Sequence, residues 1–178
     1  MALYLGSTKA KSIKLGSTSV AFPPIGGSSP TEREFVRPNL TSNGTLGGSS
    51  FAVMASSEMT GLQAYKAVDS STASYWSPAS GDNLPSYTIF NPNPIKITKL
   101  DIRFSLIGRA TLNSVYASDD NMNYTQIDFS SSGTSPIDVT LFHYNFYKYY
   151  KFVFNRRNSS AVIYVTNIAF TNAIEKVG

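Results

Sequence analysis

The chain has 178 residues, of which 15% are charged and 13% aromatic. It has no cysteine and one histidine, which excludes disulfides and thiolate metal sites and leaves almost no material for nucleophile–base catalysis. The net charge of +4 is uneven: residues 1–37 carry five Lys/Arg against two Glu (+3), and residues 38–178 carry ten against nine (+1), too even a balance for a nucleic-acid reader.

Leu5-Gly6-Ser7-Thr8 recurs as Leu15-Gly16-Ser17-Thr18, and between the copies Ile13 and Leu15 alternate with Ser12 and Lys14. The reading predicts two short strands with turns at the glycines. Strands of this size do not hold alone in water, so residues 1–20 are expected to be an anchoring arm that docks on a partner surface. A frayed terminus is the plainer alternative. No apolar stretch has the length of a signal-peptide core or a membrane span. The expectation is therefore a protein that stays in the cytoplasm of its host cell or leaves as part of an assembly, with no membrane insertion.

Residues 21–50 hold 17 Gly, Pro, Ser or Thr, so 21–37 is expected to be a linker. Within it, Thr31-Glu32-Arg33-Glu34 has capping-box spacing and predicts one helical turn, stopped by Pro38. A domain over 38–178 follows. Strands are predicted at 51–55, 86–91, 95–105, 111–118, 124–129, 137–142, 147–155 and 161–171, with a short helical turn in 61–68.

Two strands change phase. Ile95 and Ile97 are odd while Leu100, Ile102 and Phe104 are even; Ile163 and Val165 are odd while Ile168 and Phe170 are even. A regular strand would turn one set outward, so each is expected to carry a bulge, the first near Thr98-Lys99. Asp119-Asp120-Asn121 reads as a hairpin turn, since no bidentate glutamate follows at calcium-loop spacing. The Asn-x-Ser/Thr triplets at Asn39, Asn43, Asn123 and Asn158 read as turn residues.

The run Ala67-x-Asp69-x-x-x-x-Ser74-x-Trp76 carries the single tryptophan. With Ser86–Phe90 before Pro94–Leu100, Ser114–Tyr124 and Tyr149–Phe154, it resembles the discoidin family, the coagulation factor V/VIII C-type domains that include family 32 carbohydrate-binding modules. The resemblance spans roughly residues 40–171. It implies an all-β fold, a discoidin-like β-sandwich of jelly-roll type, here behind an extended N-terminal anchoring arm. It also places Trp76 in the core.

In many family members the aspartate matching Asp69 binds a structural calcium ion. The resemblance then implies a Ca2+ site of Asp69, Ser74, a backbone oxygen at Ala67 and a residue of the last strand. The family's glutamate there is replaced by Asn167, which leaves one carboxylate in place of two. Asp69 capping its own turn is the alternative.

Sandwiches bind through loops, and family sugar sites combine an aromatic face with Arg, Asn or His donors. The candidates are Arg156, Arg157 and Asn158 first, then Arg109, Asp82, Asn83 and Tyr144. The expected function is that of a non-enzymatic bacteriophage virion protein, structural or for attachment (tail, baseplate, fibre or capsid decoration), whose β-sandwich is of glycan-binding type and meets cell-surface glycan. Residues 1–37 would contact other virion proteins, in many copies or as a homo-oligomer, with no nucleic acid bound. A freestanding bacterial carbohydrate-binding module or adhesin is the alternative. A purely structural domain is the third reading.

Overall fold

The computed structural model describes residues 31–105, 110–156 and 162–177 in full, and of residues 1–30 only the backbone of four short strands. These strands are β1 (Tyr4–Leu5), β2 (Thr8–Lys9), β3 (Ser12–Leu15) and β4 (Thr18–Ala21). They form two hairpins in place of the two single strands expected. The register pairs Leu5 with Thr8 and Leu15 with Thr18, so each repeat copy brackets a two-residue connection.

The expected helical turn at Thr31–Glu34 is instead a strand, β5 (Thr31–Glu34). It pairs with the end of the last strand, β12 (Val165–Val177), from Thr31↔Val177 to Glu34↔Ile174. Capping-box spacing is worth little where an open sheet edge offers four consecutive partners. In this register Arg33 lies directly across from Glu175. The sheet therefore reaches ahead of residue 38.

The sandwich proper consists of β6 (Ala52–Ala55), a 3-10 helix (Ala64–Ala67), β7 (Ser86–Phe104), β8 (Ala110–Ser118), β9 (Thr125–Ser132), β10 (Ile137–Phe142), β11 (Tyr147–Arg156) and β12. Among the described residues no helix is long and apolar enough to cross a membrane. The two strands expected over 86–105 are one strand that serves both layers. Its first part pairs with β6 and β11, and its second part with β12 and β10. Pro92 and Pro94 lie between the two parts, where missing N–H donors break the ladder. From β11 the order runs β8, β9, β10, and β10 returns to β7, which closes the ring.

Both expected bulges are present. Lys99 pairs with Asn172 and Ile97 with Ala173, so Thr98 is skipped; Val165 pairs with Phe104 and Asn167 with Arg103, so Thr166 is skipped. Ile95, Ile97, Leu100, Ile102, Phe104, Ile163, Val165 and Ile168 are consequently all buried in one core. Asp120 makes the expected turn, accepting from the backbone of Asn123 and Met122 and from the Asn123 and Ser118 side chains. Those bonds hold its carboxyl well below the usual carboxylate range.

Candidate functional site

Antiparallel pairing sets which loops meet. Ser86 at the start of β7 lies opposite Val153, Arg156 at the end of β11 opposite Ala110, Ala55 at the end of β6 opposite Tyr87, and Phe104 opposite Val165. The long 56–85 connection and the strand ends at 104, 110, 156 and 165 are therefore gathered at one end of the sandwich.

The core fixes the base of that end. Trp76 is fully buried against Tyr87 and Phe154, with ring centroids 5.2 and 6.0 Å away. Its backbone bridges Val165 in both directions at 2.9 Å. Its indole Nε1 donates to the Ser57 carbonyl at 3.2 Å. The Tyr87 hydroxyl donates to the Ala64 carbonyl at 2.9 Å, and burial pushes its pKa well up. Asn43 and Glu58 cap the 3-10 helix: Glu58 Oε1 accepts from Ala64 N and Asn43 Oδ1 from Tyr65 N, both at 2.8 Å.

Above this base the rim is cross-braced. Asp82 Oδ2 accepts from the hydroxyls of Ser56 at 2.8 Å and Ser57 at 2.5 Å. Ser57 Oγ also accepts from Ala79 N at 3.2 Å. From the end of β11, Arg156 donates through Nε to the Asp82 carbonyl at 2.7 Å and through Nη2 to the Ala79 carbonyl at 2.8 Å. The rim thus hangs from Trp76 through Ser57 and from β11 through Arg156. Asn83 and Leu84 project outward, Leu84 at 56% exposure. Beside the Trp76–Val165 bridge, the rings of Tyr75 and Tyr164 lie in contact, centroids 4.4 Å apart and planes tilted by 53°, each half-buried.

Among the sequence-predicted ligand residues, Asp82, Asn83 and Arg156 come together in this rim. Asp82 and Arg156 are braces within it. Tyr144 is 93% exposed beyond the other end of β11, a ten-residue strand. At ordinary strand rise that is about 30 Å from Arg156. Arg109, Arg157 and Asn158 lie outside the described residues. Ser57, Tyr75 and Tyr164 carried no chemical signal of their own. The two tyrosines are the outward neighbours of Trp76 and Val165, legible by alternation once that bridge is known.

The residues singled out for a cation also converge, with an addition. Asp69 accepts from Ser71 N at 2.9 Å through Oδ1 and from the Ser74 hydroxyl at 2.6 Å through Oδ2. Ala67 ends the 3-10 helix and is buried. Arg37 reaches this loop, donating from Nη1 to the Val68 and Pro38 carbonyls and from Nη2 to Asn167 Oδ1 at 3.5 Å. Burial lowers the Arg37 pKa, with the nearby Asp69 carboxylate opposing. A guanidinium stays charged through any such shift.

No protein-family model matches the sequence, and no curated protein does. Solved structures do. The chain is similar to chitosan-binding module 1 of a chitosanase/glucanase from Paenibacillus sp. IK-5, at 20% identity and TM-score 0.54, covering 79% of this chain and 99% of that one. It is similar to a Clostridium perfringens module, CpGH89CBM32-5, in complex with GalNAc-β-1,3-galactose, at 16% identity and TM-score 0.56, covering 72% and 95%. It is also similar to the family 32 carbohydrate-binding module of C. perfringens NanJ in complex with galactose, at 14% identity and TM-score 0.56, covering 70% and 93%. Against the family 89 glycoside hydrolase of C. perfringens the match spans 72% of this chain but only 14% of that enzyme. The structures matched over nearly their whole length are binding modules, and the chain has their discoidin-like β-sandwich fold.

Proposed function

We propose that this chain is a non-catalytic glycan-binding β-sandwich that uses the braced loop end. The observation that carries the reading is the match over 93–99% of the length of three binding modules, two of them solved with galactose-type sugars. The surface has suitable chemistry. Tyr75 and Tyr164 offer ring faces for sugar C–H groups, Asn83 offers an amide, and the braces keep the rim in one shape.

A single shallow site of this kind is expected to bind in the millimolar range, near −4 kcal/mol. Calorimetric titration of the full chain with galactose, N-acetylgalactosamine and chitosan oligosaccharides tests this. A Tyr164→Ala/Asn83→Ala double variant should lose about tenfold or more in affinity while still folding, with its far-ultraviolet circular dichroism unchanged and its melting temperature lowered by the lost Tyr75 contact. Binding to none of these sugars, or full binding by the double variant, would overturn it.

The arm favours a finer reading. Among the described strands, β1–β4 pair only with one another, while residues 31–37 are engaged by the sandwich itself. We propose that residues 1–20 dock the domain in a virion, where many weak sites act together. A chain lacking 1–20 should keep its sugar affinity and melting temperature yet fail to enter particles. Normal incorporation would instead favour the freestanding bacterial module or adhesin.

A further inference from the structure

We infer that the guanidinium of Arg37 takes the place of a structural cation in the loop before Trp76, so that this loop is held without metal. The residues present do not fit calcium. That ion takes six to eight oxygen ligands, several of them charged. Asp69 is the one carboxylate of the predicted set, and both its oxygens already accept from Ser71 and Ser74. Among the described residues no group of three or more His, Cys, Asp or Glu could hold a metal ion. Asn167 Oδ1 and the Val68 carbonyl face Arg37 instead. A divalent ion seated among these oxygens would meet a like charge that cannot titrate away.

The arginine is also held in place from both sides. Upstream, β5 pairs with β12, Arg33 is bound by Glu175, and Phe35 N donates to the Ala173 carbonyl at 2.9 Å. Downstream, Leu40 N donates to the same Val68 carbonyl at 3.2 Å. The positive charge therefore arrives tethered, and its occupancy does not depend on ion concentration. It also explains why Asn167 suffices on the last strand: a guanidinium needs an acceptor there, whereas a calcium site needs charge. The loop before Trp76 becomes mechanically continuous with the N-terminal segment. This inference stands whether or not the rim binds sugar.

The test is thermal melting of the full chain in millimolar calcium and in chelator, for the wild type and Arg37→Gln. Calcium bound to the native state at about a hundred times its Kd would raise Tm by roughly 5–10 °C. The wild type is expected to melt alike in both buffers. Arg37→Gln is expected to melt roughly 4–8 °C lower, with faster hydrogen exchange at the Ser71 and Ala73 amides. Calcium stabilisation of the wild type, or an Arg37→Gln variant that melts like it, overturns the inference. If Arg37→Gln does not fold, Arg37→Lys, which keeps the charge, should fold and stay indifferent to calcium. A lysine variant that fails to fold or needs calcium also overturns it.

Discussion

Trp76→Ala is expected to lose about 3–5 kcal/mol of stability, the range for removing a large buried aromatic. That is a large fraction of the ~5–15 kcal/mol a domain usually has. The indole has no exposed surface, contacts the rings of Tyr87 and Phe154, and satisfies the Ser57 carbonyl. Truncation leaves a cavity and an unpaired carbonyl together. Trp76→Phe keeps most of the packing and should cost about 1–3 kcal/mol, chiefly for that carbonyl. Urea unfolding followed by far-ultraviolet circular dichroism measures both, since each variant removes the only tryptophan fluorophore. The consequence extends to the rim, because Ser57 Oγ holds both Asp82 and Ala79 N. A surviving Trp76→Phe protein should therefore show a looser 79–82 segment by hydrogen exchange. A Trp76→Ala protein as stable as the wild type would show that the core does not close on this ring.

Glu175→Gln is expected to cost about 2 kcal/mol and to flatten the acid side of the stability profile. The Glu175 side chain is 6% exposed. Its Oε2 accepts from Arg33 Nε at 2.8 Å and Nη2 at 2.6 Å, and its Oε1 from Asn91 Nδ2 at 2.8 Å and Asn93 Nδ2 at 3.1 Å. Burial pushes this carboxyl up, but the hydrogen bonds from Arg33, Asn91 and Asn93 outweigh it and leave the pKa below the ordinary value. A depressed folded pKa contributes stability above the ordinary glutamate range, and that contribution is lost as pH falls through the folded value. The melting temperature of the wild type should therefore drop faster below about pH 4.5 than that of Glu175→Gln. Arg33 is 62% exposed, so the ion pair itself is screened and contributes little. Glutamine keeps one oxygen to accept from the Asn91 and Asn93 amides, so most of the cost lies in its buried NH2, which meets only the donor N–H groups of Arg33 where a carboxylate oxygen accepted. Parallel acid profiles for the two proteins would refute this assignment.

This glutamate shows where sequence reading stops. Nothing near Glu175 in the chain marks it as special; it sits in a late Ile-Glu-Lys-Val run. Its four hydrogen bonds come from residues more than eighty positions away, and only the pairing of β5, β7 and β12 brings them together. Arg37 is the same case. By sequence it is one of five basic residues in a charged arm, and the two acceptors that tie it to the loop and the last strand lie 31 and 130 positions along the chain. Arg156 was legible as a loop-end donor, but its acceptors are carbonyls 74 and 77 positions back, which no side-chain pattern records. The Thr31–Glu34 turn was misread because local spacing cannot register an open edge supplied from the far end of the chain.

Residue order alone determined the β class, the two phase-changing strands and the Asp120 turn, because each depends on side-chain alternation or on bonds spanning a few residues, while the burial of Trp76 followed from the family resemblance. Folding decided the rest: which oxygens a distant arginine reaches, which loop end is braced, and that β5 belongs to the sheet. Those outcomes depend on strands far apart in the chain lying side by side, and neighbouring residues carry no record of such distances.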